Sequence, residues 1–230
     1  MKKIIITSLV ASVIFGLTAC NSISSKTTKP KDDKDSLSYM IGISVGHTLK
    51  AQKIEGINAK LLAQGIEEVL TNDSAMSIAE ANAFINEYFM KMAEVEGEKN
   101  LEKGEAFLAE NKTKEGVVET ESGLQYKVLV EGTGASPTVT DRVRCHYEGR
   151  LIDGTVFDSS YERGQPAEFS LQGVIRGWTE GLQLMKEGGK YELYVPADLA
   201  YGKRGGGQII GPNETLIFTI ELLEILPSNK

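Results

Sequence analysis

Three segments in the C-terminal half decide the fold of this chain. They read DRVRCHYEGRLIDGTVFDSS at Asp141–Ser160, GVIRGWTEGLQLMKEGGKYELYVPADLAYG at Gly173–Gly202 and ETLIF at Glu214–Phe218. Together they concentrate aromatic and branched side chains in a short stretch: Tyr147, Phe157, Val174, Ile175, Trp178, Tyr201 and Phe218. Asp158 is the one charge adjoining this set, and no convincing nucleophile, metal cluster or phosphate loop accompanies it. Such a set is typical of an apolar core and gives no sign of acid–base, metal or phosphate chemistry.

Apolar and polar residues alternate along several stretches, as they do in strands with one buried face. The stretches are residues 124–130, 143–147, 190–195 and 215–225. The last of them places four apolar residues on one face: Leu216, Phe218, Ile220 and Leu222. Asp153-Gly154 predicts a tight turn, after which Thr155–Asp158 begins a return strand. Cys145, on an apolar position, is interpreted as a small buried hydrophobic residue.

One helical pattern interrupts these strands, at residues 173–186. Its apolar side consists of Val174, Ile175, Trp178, Leu182 and Met185. Gly188-Gly189 is expected to end the helix. Strands that surround one short helix predict an α+β domain, in which an antiparallel sheet curls around the helix.

These motifs resemble the FK506-binding-protein (FKBP) family of peptidyl-prolyl cis/trans isomerases (EC 5.2.1.8), from about Gly123 to Leu226. With its N-terminal half, the chain is similar to the exported bacterial group that includes the macrophage infectivity potentiator (Mip) and FkpA. The resemblance implies an isomerase that works without metal or cofactor. Its partners would be proline-containing polypeptides, inhibitors of the FK506 and rapamycin type, and a second copy of the chain.

The resemblance also assigns roles within the pocket. Trp178 would form the floor, and Tyr147, Phe157 and Phe218 would form the walls. Taken alone, each of these residues would fit ordinary core packing better than a role in a pocket. The functional interpretation therefore depends on the whole set matching the family.

Further residues would hold and cover the ligand. Val174 and Ile175 would offer backbone hydrogen bonds, and the Tyr201 hydroxyl would donate another. Ile209 and Ile210 lie in a flap-like loop before the last strand and would cap the pocket.

Asp158 would take part in catalysis by orienting the site or by polarising the bound carbonyl. A buried carboxylate needs a partner, and the resemblance assigns Arg163 and the Tyr147 hydroxyl to it. A plain turn-closing role before Ser159 is the alternative.

Three positions depart from the family pattern. Ala167 stands where the archetype has an aromatic residue, which would leave one wall of the pocket open. Gly206 replaces a histidine, and Gly211 replaces a proline near the flap. These changes concern peptide preference and inhibitor fit. His47 and His146 are each isolated and are interpreted as surface or structural histidines.

Residues 1–19 have the anatomy of a secretory signal. Lys2 and Lys3 precede a short apolar run, Ile4–Leu17, that falls below the ~20 residues needed to span a membrane.

The signal ends in LTAC at Leu17–Cys20, which resembles the lipobox of bacterial lipoproteins. That resemblance implies lipidation of Cys20, and Asn21 after it points to the outer membrane, facing the periplasm or the cell surface. An ordinary signal peptide that happens to end near a cysteine is the alternative. Residues 20–34 are predicted to be a flexible tether.

The N-terminal half is predicted to be all-α. Residues 35–76 contain two short amphipathic helices, the second capped by Asn58. Ser77 and Glu80 form a capping-box signature that opens a long helix over residues 77–116. Gly97 and Gly104 should each weaken that helix by ~1 kcal/mol relative to alanine.

We expect residues 35–76 to form a dimerisation region, because so few helices cannot bury enough surface alone. The long helix would connect it to the isomerase domain at residues 117–230. The alternative is that the apolar helix faces pack back onto that domain.

The overall charge argues against nucleic-acid binding. The formal net charge is −7, with 25 basic and 32 acidic side chains. A nucleic-acid binder needs a basic face to displace counterions.

The sequence leaves three functions to compare. The first is an envelope-anchored prolyl isomerase with chaperone activity. The second is a periplasmic chaperone or surface binding module in which turnover is incidental. The third, a purely structural lipoprotein, gives no reason for so complete a pocket.

Overall fold

The structure, a computed structural model, describes residues 29–52 and 54–226. They belong to two compact units whose boundary lies between Ser74 and Ala75. The predicted signal sequence, the lipidation site Cys20 and most of the tether lie outside the described residues. No helix among the described residues is both long enough and apolar enough to cross a bilayer.

The first unit contains the two predicted helices, α1 (Asp33–Ala51) and α2 (Ala59–Leu70). Asn58 caps α2 as predicted, because its side chain accepts hydrogen bonds from the next turn of backbone. Neither helix has a buried residue. Their large apolar side chains are exposed instead: Leu37, Met40, Ile41, Leu61, Leu62, Ile66, Val69 and Leu70.

The second unit begins with a long helix, α3 (Ile78–Asn111). Its predicted capping box is confirmed: Ser77 Oγ accepts from the Glu80 N–H at 3.3 Å, and the Glu80 carboxylate accepts from the Ser77 N–H at 2.9 Å. The first half of α3 exposes a row of apolar side chains: Phe84, Ile85, Tyr88, Phe89, Met92 and Val95.

The second half of α3 packs on the sheet domain, where the sequence predicted a bridge between two bodies. Gly97 and Gly104 are buried, and a Cβ atom at Gly104 would overlap the Thr215 hydroxyl. At the end of the helix, Asn111 Nδ2 donates to Gln125 Oε1 at 3.0 Å. The glycines are therefore sites of close approach between the helix and the domain.

In the described part of the chain, seven antiparallel strands form one sheet; six follow the order β1-β2-β6-β7-β3-β4, and β5 pairs with β3 beside them. Their bounds are β1 Val117–Glu119, β2 Gln125–Val130, β3 Arg142–Leu151, β4 Val156–Ser159, β5 Ala167–Ser170, β6 Lys190–Val195 and β7 Leu216–Leu226. Strand β3 pairs along its full length with β7, and its other edge is shared by β5 and β4. The Asp153-Gly154 turn joins β3 to β4, with Gly154 at φ 89°.

A short helix, α4 (Arg176–Leu184), packs on the sheet through two glycines. A Cβ atom at Gly177 would overlap Val195, and one at Gly181 would overlap Leu193. The predicted helix over residues 173–186 was therefore too long at both ends. Ile175 and Met185 have extended backbone, and the chain leaves the helix four residues before Gly188.

The core lies between α4 and the sheet, as predicted. The inward positions of β3 and β7 are buried, including Cys145, whose thiol is fully enclosed. Burial raises the pKa of the Cys145 thiol to about 12. The predicted α+β architecture, a sheet curled around one helix after an all-α region, is confirmed.

Candidate active site

A pocket of ≈ 700 Å³ opens between the concave face of the sheet, the start of α4 and the loop before β7. The aromatic and aliphatic residues that line it include Tyr147, Phe157, Phe169, Val174, Ile175, Trp178, Tyr201, Ile209, Ile210 and Phe218. Asp158 completes the lining. The structure thus brings together every pocket residue predicted from the sequence except Arg163, which reaches the site through Asp158.

Trp178 lies at the centre of the aromatic cluster and is 4% exposed. Three rings meet it edge-on, with centroid distances of 5.1 Å to Tyr147, 5.1 Å to Phe169 and 5.3 Å to Phe218. Edge-to-face packing of this kind is favourable and fixes the rings relative to one another. Among the described residues, Trp178 Nε1 is the buried side-chain polar atom that has no hydrogen-bond partner.

Gly149 on β3 allows two walls of the pocket to meet. Phe157 and Phe218 pack edge-on at 5.5 Å. A Cβ atom at Gly149 would lie 2.6 Å from the Phe157 ring and 2.8 Å from the Phe218 ring. Any larger residue would push these rings into the pocket, so Gly149 is a structural requirement of the site.

Phe169 is the wall residue that the sequence analysis missed. It lies on β5, lines the pocket and packs at 5.5 Å from Tyr147. Ala167, the position predicted to open the wall, pairs with Cys145 and does not line the pocket. The alternation of Ala167, Phe169 and Leu171 was the signal for a strand there, since it places Phe169 on the inward face.

The loop before β7 covers the pocket from the other side. Gly206 and Ile210 exchange two backbone hydrogen bonds, at 2.9 and 3.1 Å. We call residues 205–211 the flap. Ile209 and Ile210 line the pocket from this flap, and the Tyr201 ring would be 3.2 Å from a Cβ atom at Gly206.

Asp158, Tyr147 and Arg163 form a closed triangle of hydrogen bonds at the rim. The Tyr147 hydroxyl and the Arg163 guanidinium each donate to a different oxygen of the Asp158 carboxylate. Arg163 also donates to the Tyr147 hydroxyl oxygen at 2.8 Å. The side chains of Asp158 and Arg163 are 42% and 44% exposed, so the ion pair is open to water on one side.

These contacts set the protonation states of the triangle. Partial burial acts to raise the pKa of Asp158, but the bonds from Tyr147 and Arg163 and the charge of Arg163 outweigh it and lower that pKa. Burial, together with the bond to Asp158, raises the pKa of Tyr147 to about 12. At neutral pH the site therefore holds one carboxylate and one neutral phenol.

His146 points away from this site. Its ring stacks on Tyr161 at 4.7 Å, and its Nδ1 is 3.0 Å from Ser160 Oγ. It is thus a structural histidine on the outer face of β3, as predicted.

The arrangement offers an apolar aromatic cup, a loop that covers it and a fixed charge at the rim. It contains no activated nucleophile among its lining residues. Such a site can change the conformation of a bound group by excluding water and matching its shape.

Comparisons with known proteins agree with this geometry. A family model described as FKBP-type peptidyl-prolyl cis-trans isomerase matches residues 134–223. A second, described as the domain amino terminal to FKBP-type peptidyl-prolyl isomerase, matches residues 34–128. The chain is 45% identical over 226 residues to the outer membrane protein MIP of Legionella longbeachae, covering 94% of this chain and 97% of that protein.

The chain belongs to the FKBP-type peptidyl-prolyl cis-trans isomerases. It is also 47% identical over 193 residues to the FKBP-type 22 kDa peptidyl-prolyl cis-trans isomerase of Escherichia coli, covering 82% of this chain and 94% of that one. Among solved structures, FkpA from Escherichia coli aligns with a TM-score of 0.67 and 35% identity, covering 87% of this chain and all of that chain. The resemblance to the FKBP family and its Mip/FkpA group is confirmed, and the chain is an isomerase of X–Pro bonds.

Proposed function

We propose that the pocket over Trp178 is where this isomerase rotates the X–Pro bond. The single observation that carries the proposal is the aromatic cup, in which three rings surround a floor that is almost fully buried. The proline ring is apolar and would lie on Trp178, between Tyr147, Phe157 and Phe218. Phe169 completes the wall.

Catalysis at such a site needs no acid or base. The barrier of ~18–20 kcal/mol arises from the double-bond character of the C–N link. That resonance separates charge, so water stabilises the planar amide more than the twisted one. Placing the bond against aromatic walls removes this water, and tighter binding of the twisted form then lowers the barrier. Proline suits the reaction because its trans preference is only ~0.5–1 kcal/mol.

Asp158 would act on the bound amide through its fixed orientation. Two donors hold its carboxylate, so the charge stays at one place on the rim. A fixed charge in a partly dry site stabilises a changing dipole without having to reorganise. Tyr201 and the backbone at Val174 and Ile175 line the cup where they could hydrogen-bond the peptide.

We also propose that two chains pair through the N-terminal helices. Helices α1 and α2 bury none of their residues, and the first half of α3 exposes its apolar row. Exposed apolar surface on this scale is typical of a protein–protein interface. The relation to FkpA and the match to the amino-terminal FKBP domain support a homodimer.

The proposed location is the cell envelope. The lipobox-like LTAC sequence would leave Cys20 lipid-modified, and several acyl chains give stable anchoring. The name of the Legionella longbeachae relative, an outer membrane protein, supports the same assignment.

Chaperone activity is the second candidate function, and the exposed apolar side chains of the N-terminal unit favour it. Such surfaces can bind the exposed apolar segments of unfolded chains. The test separates the two activities by comparing the full chain with an Asp158→Leu variant. Isomerisation of a proline tetrapeptide should fall in the variant, whereas suppression of aggregation of a proline-poor substrate should not. FK506 should quench Trp178 fluorescence in the full chain; its failure to do so would contradict the assignment of the pocket.

A further inference from the structure

Helix α3 is hydrogen-bonded to Pro212 and Asn213, which connect the flap to β7. Asn100, which is buried on α3, donates from Nδ2 to the Pro212 carbonyl at 3.0 Å. In return, Asn213 Nδ2 donates to the carbonyl of Gly97 on α3 at 3.2 Å. A Cβ atom at Gly97 would lie 3.1 Å from Pro212 Cβ, so the helix and the loop are in close contact here.

These contacts continue from the loop into the pocket. The Asn213 N–H donates to the Gly202 carbonyl at 2.9 Å. The chain just after the flap is therefore bonded to the residue that follows Tyr201. Asn213 has a φ of 54°, in the left-handed region that asparagine tolerates. Pro212 is two residues from Ile210, whose backbone pairs with Gly206.

The flap's own contacts include the backbone pair between Gly206 and Ile210 and the packing of Ile210 against the core. The flap contains three consecutive glycines, Gly205–Gly207, which leave its backbone free to adopt many conformations. Its Ile209 side chain is 43% exposed and gives little apolar anchoring. The polar contacts of Pro212 and Asn213 with α3 add to these contacts at the end of the flap.

We propose that Asn100 is a positioning residue for the proline pocket. By holding Pro212, it fixes the flap and with it the two isoleucines that cover a bound ligand. The inference rests on the proposed function of the pocket. Under this proposal helix α3, which lies outside the sheet, affects ligand affinity through the contacts that run from Asn100 through Pro212 to the flap.

Removing the Asn100 donor should weaken binding rather than turnover. In Asn100→Ala the flap samples more positions, so KM for a Leu-Pro tetrapeptide should rise and FK506 affinity should fall, each by roughly threefold or more. The value of kcat should stay within about twofold, because the floor and the Asp158 triangle are unchanged. Glu105→Ala, at an exposed position on the same helix, is the matched control and should match the wild type.

A second variant keeps the test decisive if Asn100→Ala does not fold. Asn213→Gly keeps the left-handed backbone but removes the donor to Gly97, and it should show the same KM effect. The double variant should lose less affinity than the sum of the two, since both bonds fasten one loop.

The outcomes separate this inference from the proposed function. If the wild-type protein fails to bind FK506 at Trp178, the assignment of the pocket is overturned. If the wild type binds FK506 while both variants keep wild-type KM and FK506 affinity, only the role of Asn100 is overturned. A fall in kcat without a rise in KM would also contradict it.

Discussion

Tyr147 and Asp158 are joined by a hydrogen bond between neighbouring strands, β3 and β4, at the rim of the aromatic cup. Tyr147 therefore does two things at once: its ring packs on Trp178, and its hydroxyl holds the carboxylate. Arg163 closes the triangle by donating to both. The Tyr147 side chain thus both shapes the pocket wall and fixes the position of the Asp158 charge.

Replacing Asp158 should reduce activity much more than stability. In Asp158→Leu, kcat/KM for a proline tetrapeptide should fall about tenfold to a hundredfold, the effect of losing a charged hydrogen-bonding group. The melting temperature should move by less than about 5 °C, because a half-exposed ion pair contributes little to the fold. Asp158→Asn keeps the shape of the side chain but removes its charge, so comparing the two variants separates the effect of the charge from the effect of packing. Wild-type turnover in folded Asp158→Leu would remove the residue from the mechanism.

The pH profile of the reaction should be flat near neutrality. The lowered pKa of Asp158 means that its contribution to stability is present above the ordinary carboxyl pKa of 3.8 and is lost as pH falls through the lower, folded value. The raised pKa of Tyr147 means that its contribution is present below 10.0 and is lost as pH rises towards about 12. We expect kcat/KM to be constant from about pH 5 to 9. An inflection near pH 7 in the wild type would show that another group titrates in the site.

Phe169→Ala should open the pocket wall. Removing a ring that contacts both Tyr147 and Trp178 should destabilise the domain by ~3 kcal/mol and lower kcat/KM of the folded fraction about tenfold. Phe169→Leu should retain part of the stability and part of the activity that Phe169→Ala loses. Phe107→Ala is the control, because Phe107 packs on Tyr194, outside the pocket. It should lower stability, measured by urea unfolding, but leave the activity per folded molecule unchanged.

Gly104→Ala tests the packing of α3. Alanine usually stabilises an exposed helix by ~1 kcal/mol over glycine. Here the new methyl group would overlap Thr215, which is 3% exposed, and we expect a loss of ~1–3 kcal/mol in the free energy of unfolding. Thr215→Ala in the same chain should restore part of the loss. A gain in stability from Gly104→Ala alone would show that the helix does not pack there.

Ile66→Glu should break the proposed dimer. The isoleucine lies on the exposed apolar face of α2, and a buried, unpaired carboxylate at an interface is costly. Sedimentation should show a monomer with normal activity on a short peptide. Gln64→Glu, on the same helix but beside Glu68, adds the same charge away from that face and should leave the dimer intact. An unchanged dimer for Ile66→Glu would exclude this face from the interface.

Local patterns predicted much of the molecule. The capping box at Ser77 and the alternation through Val143, Cys145 and Tyr147 depend on near neighbours in the chain, so the sequence displays them directly. The aromatic set around Trp178 was recognisable because its residues match the FKBP pattern position by position. The resemblance to the family depended on that match.

Contacts between distant residues escaped prediction. From the sequence alone, Gly97 is predicted only to weaken the helix; the structure shows that Pro212 packs against it. The Asn100–Pro212 hydrogen bond joins residues 112 positions apart in the chain. Val174 and Ile175 fit the helical spacing of α4, yet both precede the helix, and Ile175 has extended backbone where it lines the pocket. In both places tertiary packing overrides the local preference.

The enclosed thiol of Cys145 suits the proposed location in the cell envelope, where disulfides form. Only a thiolate attacks a disulfide, and a fully buried group whose pKa is about 12 is almost never in that form. Under the proposed lipidation of Cys20, neither cysteine would be available to disulfide-forming enzymes. A folding catalyst built in this way could work among half-oxidised client chains without becoming covalently trapped by them.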